Sequence, residues 1–126
     1  MDKATALDLY RVMRRIRDFE ERSTVLFGEG KLWGTIHSYA GEEGIAAGVC
    51  AHLRDDDWIT STHRGHGHCL AKGATPDLMF AELLGKEAGY CKGKGGSMHI
   101  ADPDTGNLGA NAIVAGSAGI ATGAAL

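Results

Sequence analysis

Three histidines, an arginine and a cysteine fall within seven residues at His63, Arg64, His66, His68 and Cys69. Three readings suit such a set. Neutral imidazole and thiolate bind zinc. A guanidinium among imidazoles grips phosphate as a bidentate fork while the histidines donate hydrogen bonds or move protons. The same residues also make a plain polar surface loop. A structural zinc site usually draws on two separated ligand pairs and these candidates lie in one run, so the residues by themselves leave all three readings open.

Two further stretches could carry chemistry. Cys91-Lys92-Gly93-Lys94-Gly95-Gly96-Ser97 has the composition of a phosphate cradle but not its spacing, because Gly95 follows Lys94 and no glycine stands five positions before Gly93. Its backbone N–H groups form either an anion nest or a loop held tightly against a neighbour. His99, just beyond, reads as a structural histidine. In Asn111-Ala112-Ile113-Val114-Ala115-Gly116 two β-branched residues stand among small ones. That pattern is a buried strand or helix lead-in, or a wall along which a flat ring approaches the backbone.

The elements that must position these residues are legible in the periodicity. Leu9, Val12, Met13, Ile16, Phe19, Leu26 and Phe27 recur at three- and four-residue steps, which predicts a helix from about Ala6 to Phe27, opened by a Thr5–Asp8 capping box. Its other face carries arginines and acids and reads as a solvated or subunit-facing surface. Ile45, Val49 and Leu53 among small residues predict a second helix from near Gly41 to the Asp55-Asp56-Asp57 turn. Trp58 to Ser61 suits a short buried parallel strand. The histidine run then follows as a loop at the strand's carboxyl end, where ligands sit in open α/β sheets. Thr75-Pro76-Asp77 starts a third helix with apolar Met79, Phe80, Leu83 and Leu84. Residues 92–99 and 103–107 are loop or turn by composition, and Ala118 to Leu126 begins a last helix.

Composition excludes several classes. The 126 residues carry a formal charge of −3 and 44% apolar content, enough for one small domain and without the basic footprint of a nucleic-acid or anionic-membrane binder. The uncharged stretch from Thr105 to Leu126 is too rich in glycine to cross a bilayer. No signal peptide is visible, so a cytoplasmic location is expected. Cys50, Cys69 and Cys91 read as reduced, packing thiols.

The order of the motifs carries more than any one of them. His37-Ser-Tyr-Ala-Gly41-Glu42-Glu43, then Thr62-His63-Arg64-Gly65-His66-Gly67, then Gly93-Lys94-Gly95-Gly96-Ser97-Met98-His99, then Gly109-Ala-Asn111-Ala-Ile-Val114 resembles the α subunits of thiamine-diphosphate-dependent E1 enzymes of the pyruvate or acetoin dehydrogenase kind. The three histidines look more like the acetoin branch, since many pyruvate dehydrogenases carry Tyr where His63 stands. The resemblance implies an α/β fold in which residues 1–126 are the N-terminal part of one thiamine-diphosphate-binding parallel-sheet domain, incomplete at Leu126. It implies that His37 and His66 are catalytic-pocket histidines and that His63 and Arg64 contact the diphosphate. Ala112, where the family often has Gly, would present its backbone to the aminopyrimidine, and Val114 would prop the bent cofactor.

The same resemblance implies magnesium ligands beyond the end of this chain, in a Gly-Asp-Gly…Asn-Asn motif. The activating glutamate would come from a β subunit. Further implied partners are a second α subunit in an α2β2 assembly, a lipoyl E2 component, and a small 2-oxo acid or acetoin as substrate. The implied activity is oxidative decarboxylation of pyruvate or cleavage of acetoin, with the acyl group passed to the lipoyl arm. A zinc-binding module built on His63, His66, His68 and Cys69 is the alternative from another class, and a non-catalytic subunit that packs on a β partner is a third.

The helix faces and the strand at Trp58 to Ser61 need more sheet to cover them, and an open edge invites association. Expressed alone, the chain is expected to self-associate in size-exclusion chromatography. It should also bind no thiamine diphosphate by calorimetry, even with magnesium. A stable monomer that bound the cofactor tightly would mean that other residues, such as the Lys92 to Ser97 loop, hold the diphosphate.

Overall fold

The amphipathic run at the N-terminus folds as α1, Lys3–Gly28, in a computed structural model that describes residues 1–126. The helix starts before the expected Ala6 because Asp2, not a Thr5–Asp8 box, is its cap: the Asp2 carboxylate accepts the Thr5 N–H at 2.8 Å. Of the predicted apolar face, Ile16, Phe19 and Leu26 are buried, and Glu20 and Ser23 are buried with them. Met13 and Phe27 are exposed.

The second helix, α2, spans only Glu43–Cys50. It packs against α1 through buried Ala46 and Ala47. Its first residue, Glu43, is tied to α1 by the Arg17 Nε donor at 2.6 Å and to the preceding turn by the Gly41 N–H at 3.0 Å.

Strand β1, Ile59–Thr62, lies one residue beyond the predicted Trp58 to Ser61, leaving Trp58 exposed. It pairs in parallel with β2, Asn107–Asn111, a strand that the sequence pattern does not announce. The partners are Ile59 with Asn107, Ser61 with Ala110 and Thr62 with Asn111. Between the first two pairs β2 holds one residue more than β1. The irregularity falls beside Gly109, whose φ of +126° suits glycine and few other residues.

The crossover between the strands contains α3 (His66–Lys72), α4 (Pro76–Leu83) and two short 3-10 turns, Gly96–Met98 and Pro103–Thr105. The third predicted helix is α4, with Pro76 in its first turn. The histidine run is not the continuous loop predicted for it, because α3 begins at His66. Glycine and histidine are poor helix formers, and tertiary packing overrides them. A Cβ at Gly67 would stand 2.3 Å from a Tyr39 ring carbon, so only glycine lets the helix lie this close to that ring. The last helix, α5 (Gly116–Ala125), lies over the sheet and buries none of its residues.

The core gathers Ile16, Phe19, Tyr39, Leu70, Met79 and Ile100 among others, between α1, the crossover helices and the loop before β2. All three cysteines are free thiols. No helix is long and apolar enough to cross a membrane. The architecture is an incomplete α/β arrangement around a two-stranded parallel sheet.

The Arg17 hydrogen bond, helped by the Gly41 N–H, holds the Glu43 carboxyl down to about 2 from its ordinary 4.5. A lowered folded-state value means that the stabilisation is fully present above pH 4.5 and is lost as pH falls towards 2. The melting temperature of the unsubstituted protein should therefore exceed that of Glu43→Gln at neutral pH and converge on it through that acid window. A difference independent of pH would show that the ion pair is not its cause.

Candidate functional site

Because Thr62 pairs with Asn111, the two strands end side by side, and the segments that leave them start from one line. His63 and Arg64 leave β1 there; Ala112 to Val114 leave β2 beside them. This is the carboxyl edge of a parallel sheet, where such sheets bind ligands.

At that edge Arg64 Nη1 donates to His63 Nε2 at 2.9 Å. A guanidinium has no acceptor atom, so Nε2 must accept, and the imidazole proton is left on Nδ1. His63 Nδ1 is buried and has no partner. The His37 ring stands edge-on to the His63 ring, with centroids 4.8 Å apart at 82°. Three of the expected site residues thus form one cluster, which offers a permanent positive charge and a buried N–H donor in need of an acceptor. An anionic oxygen of a diphosphate has the chemistry to complete it.

Ala112 and Val114 lie in the turn after β2, where the Asn111 side chain accepts the Ile113 N–H at 2.8 Å. Of the readings weighed for this stretch, the helix lead-in is what forms, since the turn runs into α5 at Gly116, but it is not buried. Asn111 ends the strand, and Ile113 and Val114 remain 70% and 68% exposed.

His66 is placed differently from its neighbours. It has no exposed surface; Nδ1 meets Glu20 Oε1 at 2.7 Å and Nε2 meets Ser97 Oγ at 3.0 Å. Both ring nitrogens are engaged inside the core, so His66 has none free for a ligand. His68 joins a third environment, between Ser61 Oγ at 2.6 Å and the Tyr39 hydroxyl at 3.1 Å. Cys69 Sγ accepts from Asn107 Nδ2 at 2.8 Å, and burial pushes its thiol up to about 12. The four side chains of the zinc alternative therefore serve separate partners, and no three His, Cys, Asp or Glu residues gather as a ligand set.

The glycine- and lysine-rich loop does form an anion nest, and its anion is internal. The buried Glu82 carboxylate accepts the backbone N–H groups of Cys91, Gly93, Gly95 and Gly96 at 2.7–3.1 Å. Gly93 has φ +72°, and a Cβ there would lie 2.4 Å from the Gly85 backbone. Glu82 stands between Met79 and Leu83 on the apolar face of α4. An acid at a core position is the signal that sequence reasoning passed over, for Glu82 and equally for Glu20 beside Phe19.

The fold and the edge cluster define a parallel α/β chain whose strand ends converge on an anion-ready site. The chain belongs to the dehydrogenase E1 component family, which it matches over residues 11–126. It is 61% identical over 121 residues to the alpha subunit of an acetoin:2,6-dichlorophenolindophenol oxidoreductase from Bacillus subtilis (strain 168), covering 96% of this chain and 36% of that protein. The alpha subunit of the same name from Cupriavidus necator is 56% identical over all of this chain and 38% of its own length. A pyruvate dehydrogenase E1 component subunit alpha from Porphyra purpurea is 40% identical over 99% of this chain and 36% of its own. The chain thus spans little more than a third of the length of these relatives, and the family implied by the order of its motifs is the one it matches.

Glu82→Gln would keep the size of the side chain but turn amide hydrogens towards N–H donors. It should lower stability by at least about 2 kcal/mol in denaturant unfolding, the scale of burying unsatisfied donors. Unchanged stability would mean that the four N–H groups are satisfied without the carboxylate.

Proposed function

We propose that this chain is the N-terminal part of the α subunit of a thiamine-diphosphate-dependent E1 enzyme. With a β subunit, the enzyme cleaves acetoin or oxidatively decarboxylates pyruvate and hands the acyl group to a lipoyl E2 component. The observation that carries this reading is the unpartnered His63 Nδ1 beside Arg64 at the shared strand edge. The higher identity to the two acetoin-oxidoreductase alpha subunits favours acetoin.

When bound, the cofactor supplies an electron sink for breaking a carbon–carbon bond next to a carbonyl. The residues of this chain bind and orient it. Arg64 would hold diphosphate oxygens as a fork, and the His63 Nδ1–H would donate a hydrogen bond to one of them. His37, edge-on to His63, lines the substrate side of the same pocket. The backbone at Ala112 would meet the aminopyrimidine, and the exposed Val114 side chain would supply apolar bulk beside the cofactor. His66 serves this site from behind, by fixing the first turn of α3 just after Arg64.

Magnesium would complete the diphosphate site with ligands from outside residues 1–126. The exposed Ile113 and Val114 are suited to cover by the β subunit, and a second α subunit completes an α2β2 assembly. A cytoplasmic enzyme fits this reading.

In the assembled α–β enzyme, Arg64→Ala should weaken thiamine diphosphate binding by about 1.5–3 kcal/mol, the scale of hydrogen bonds to a charged group. Calorimetry would read this as a loss of roughly tenfold to a hundredfold. An unchanged affinity would remove Arg64 from the site, and the diphosphate reading with it.

A further inference from the structure

We infer that Tyr39, His68 and Ser61 form a positioning chain that sets His37 against His63, the two imidazoles of the proposed cofactor edge. The inference rests on the cofactor reading above and assigns work to three residues to which the family resemblance gives no role.

His68 stands between two hydroxyls, with Tyr39 3.1 Å from Nε2 and Ser61 2.6 Å from Nδ1. Burial pushes the Tyr39 phenol up to about 12, so it keeps its proton and can donate. Burial also pushes His68 below its ordinary value, which favours the neutral ring with one donor and one acceptor. One direction satisfies every group. Tyr39 O–H donates to Nε2, Nδ1–H donates to Ser61 Oγ, and the Ser61 hydroxyl donates to the Thr62 carbonyl at 3.4 Å. The chain therefore begins two residues after His37 and ends on the residue just before His63.

The segment that carries His37 needs such an anchor. Residues 35–39 form neither helix nor strand, so no ladder of backbone hydrogen bonds fixes their place. β1, which delivers His63, is held by its pairing with β2. His68 joins the irregular segment to the regular one. The Tyr39 ring is also packed edge-on to His68, with centroids 5.1 Å apart, and lies against Gly67. Removing only the hydroxyl leaves that packing in place and isolates the hydrogen bond.

The test uses the assembled α–β enzyme with magnesium, and thiamine diphosphate affinity is read by calorimetry. Tyr39→Phe and Ser61→Ala should each weaken binding roughly fivefold, the size of one lost neutral hydrogen bond. The double variant should be no weaker than either, because both substitutions break one chain. His68→Phe should match them, and His68→Gln, which keeps a donor and an acceptor, should recover part of the loss. If the two hydroxyl variants bind normally while Arg64→Ala binds weakly, the chain has no positioning role and the cofactor reading stands. If Arg64→Ala also binds normally, the cofactor reading falls, and a crystal structure of the cofactor-free Tyr39→Phe enzyme decides the inference by itself. A His37–His63 separation that opens by about 1 Å or more, a displacement large enough to matter at a reacting site, upholds the chain. A separation still at 4.8 Å overturns it.

Discussion

The pairing of Thr62 with Asn111 is the constraint from which the site follows. Two parallel strands that end level deliver their next residues to the same place, so His63-Arg64 and Ala112-to-Val114 become neighbours although nearly fifty residues separate them. A slip of one residue would turn alternate side chains to the other face of the sheet and separate the segments. The extra residue beside Gly109 is what brings β2 level with β1. Gly65 tightens the arrangement, since a Cβ there would lie 2.8 Å from that of Ala110. The turn into α3 is thereby seated directly on β2.

Buried polar groups then tie the crossover to itself and to α1. Burial of a carboxylate is costly unless donors surround it. Glu82 has four backbone N–H donors; Glu20 has the His66 ring at Oε1, while its Oε2 is buried without a partner. The Glu82 contacts order a loop that lacks regular structure, and the Glu20 contact joins two helices distant in sequence. His66 alone connects α1, α3 and the 3-10 turn at Ser97. The glycine-rich loop that looks built for a ligand is thus filled by the protein's own carboxylate, and its distinctive composition serves the fold.

Within the chain, some apolar surface has no cover. Ile113, Val114 and Trp58 are exposed, and α5 touches the sheet without burying a residue. Thr60 Oγ1, which donates to the Ser117 carbonyl at 3.3 Å, is one of the few polar ties between that helix and the strands. Ile113 and Val114 flank the edge where His63 and Arg64 emerge, which suits a site completed by neighbouring polypeptide, whereas Trp58 lies at the opposite end of β1.

Periodicity by itself determined α1 and α4, because a 3.6-residue apolar repeat and a proline in the first helical turn are local signals. It placed β1 within one residue and put the histidine run at that strand's end. The order of four motifs also determined the family. Only the tertiary structure decided which histidine does what. Within one run, His63 meets Arg64, His66 meets Glu20 and Ser97, and His68 meets Tyr39 and Ser61. The run begins in a turn and continues into a helix, so successive side chains leave in different directions, and their partners come from 29 to 46 residues away, from the preceding strand or, for His63, from the next residue. β2 was hidden for a related reason. Its Asn-Leu-Gly-Ala-Asn sequence has little intrinsic strand preference, and pairing with β1 supplies what local propensity lacks.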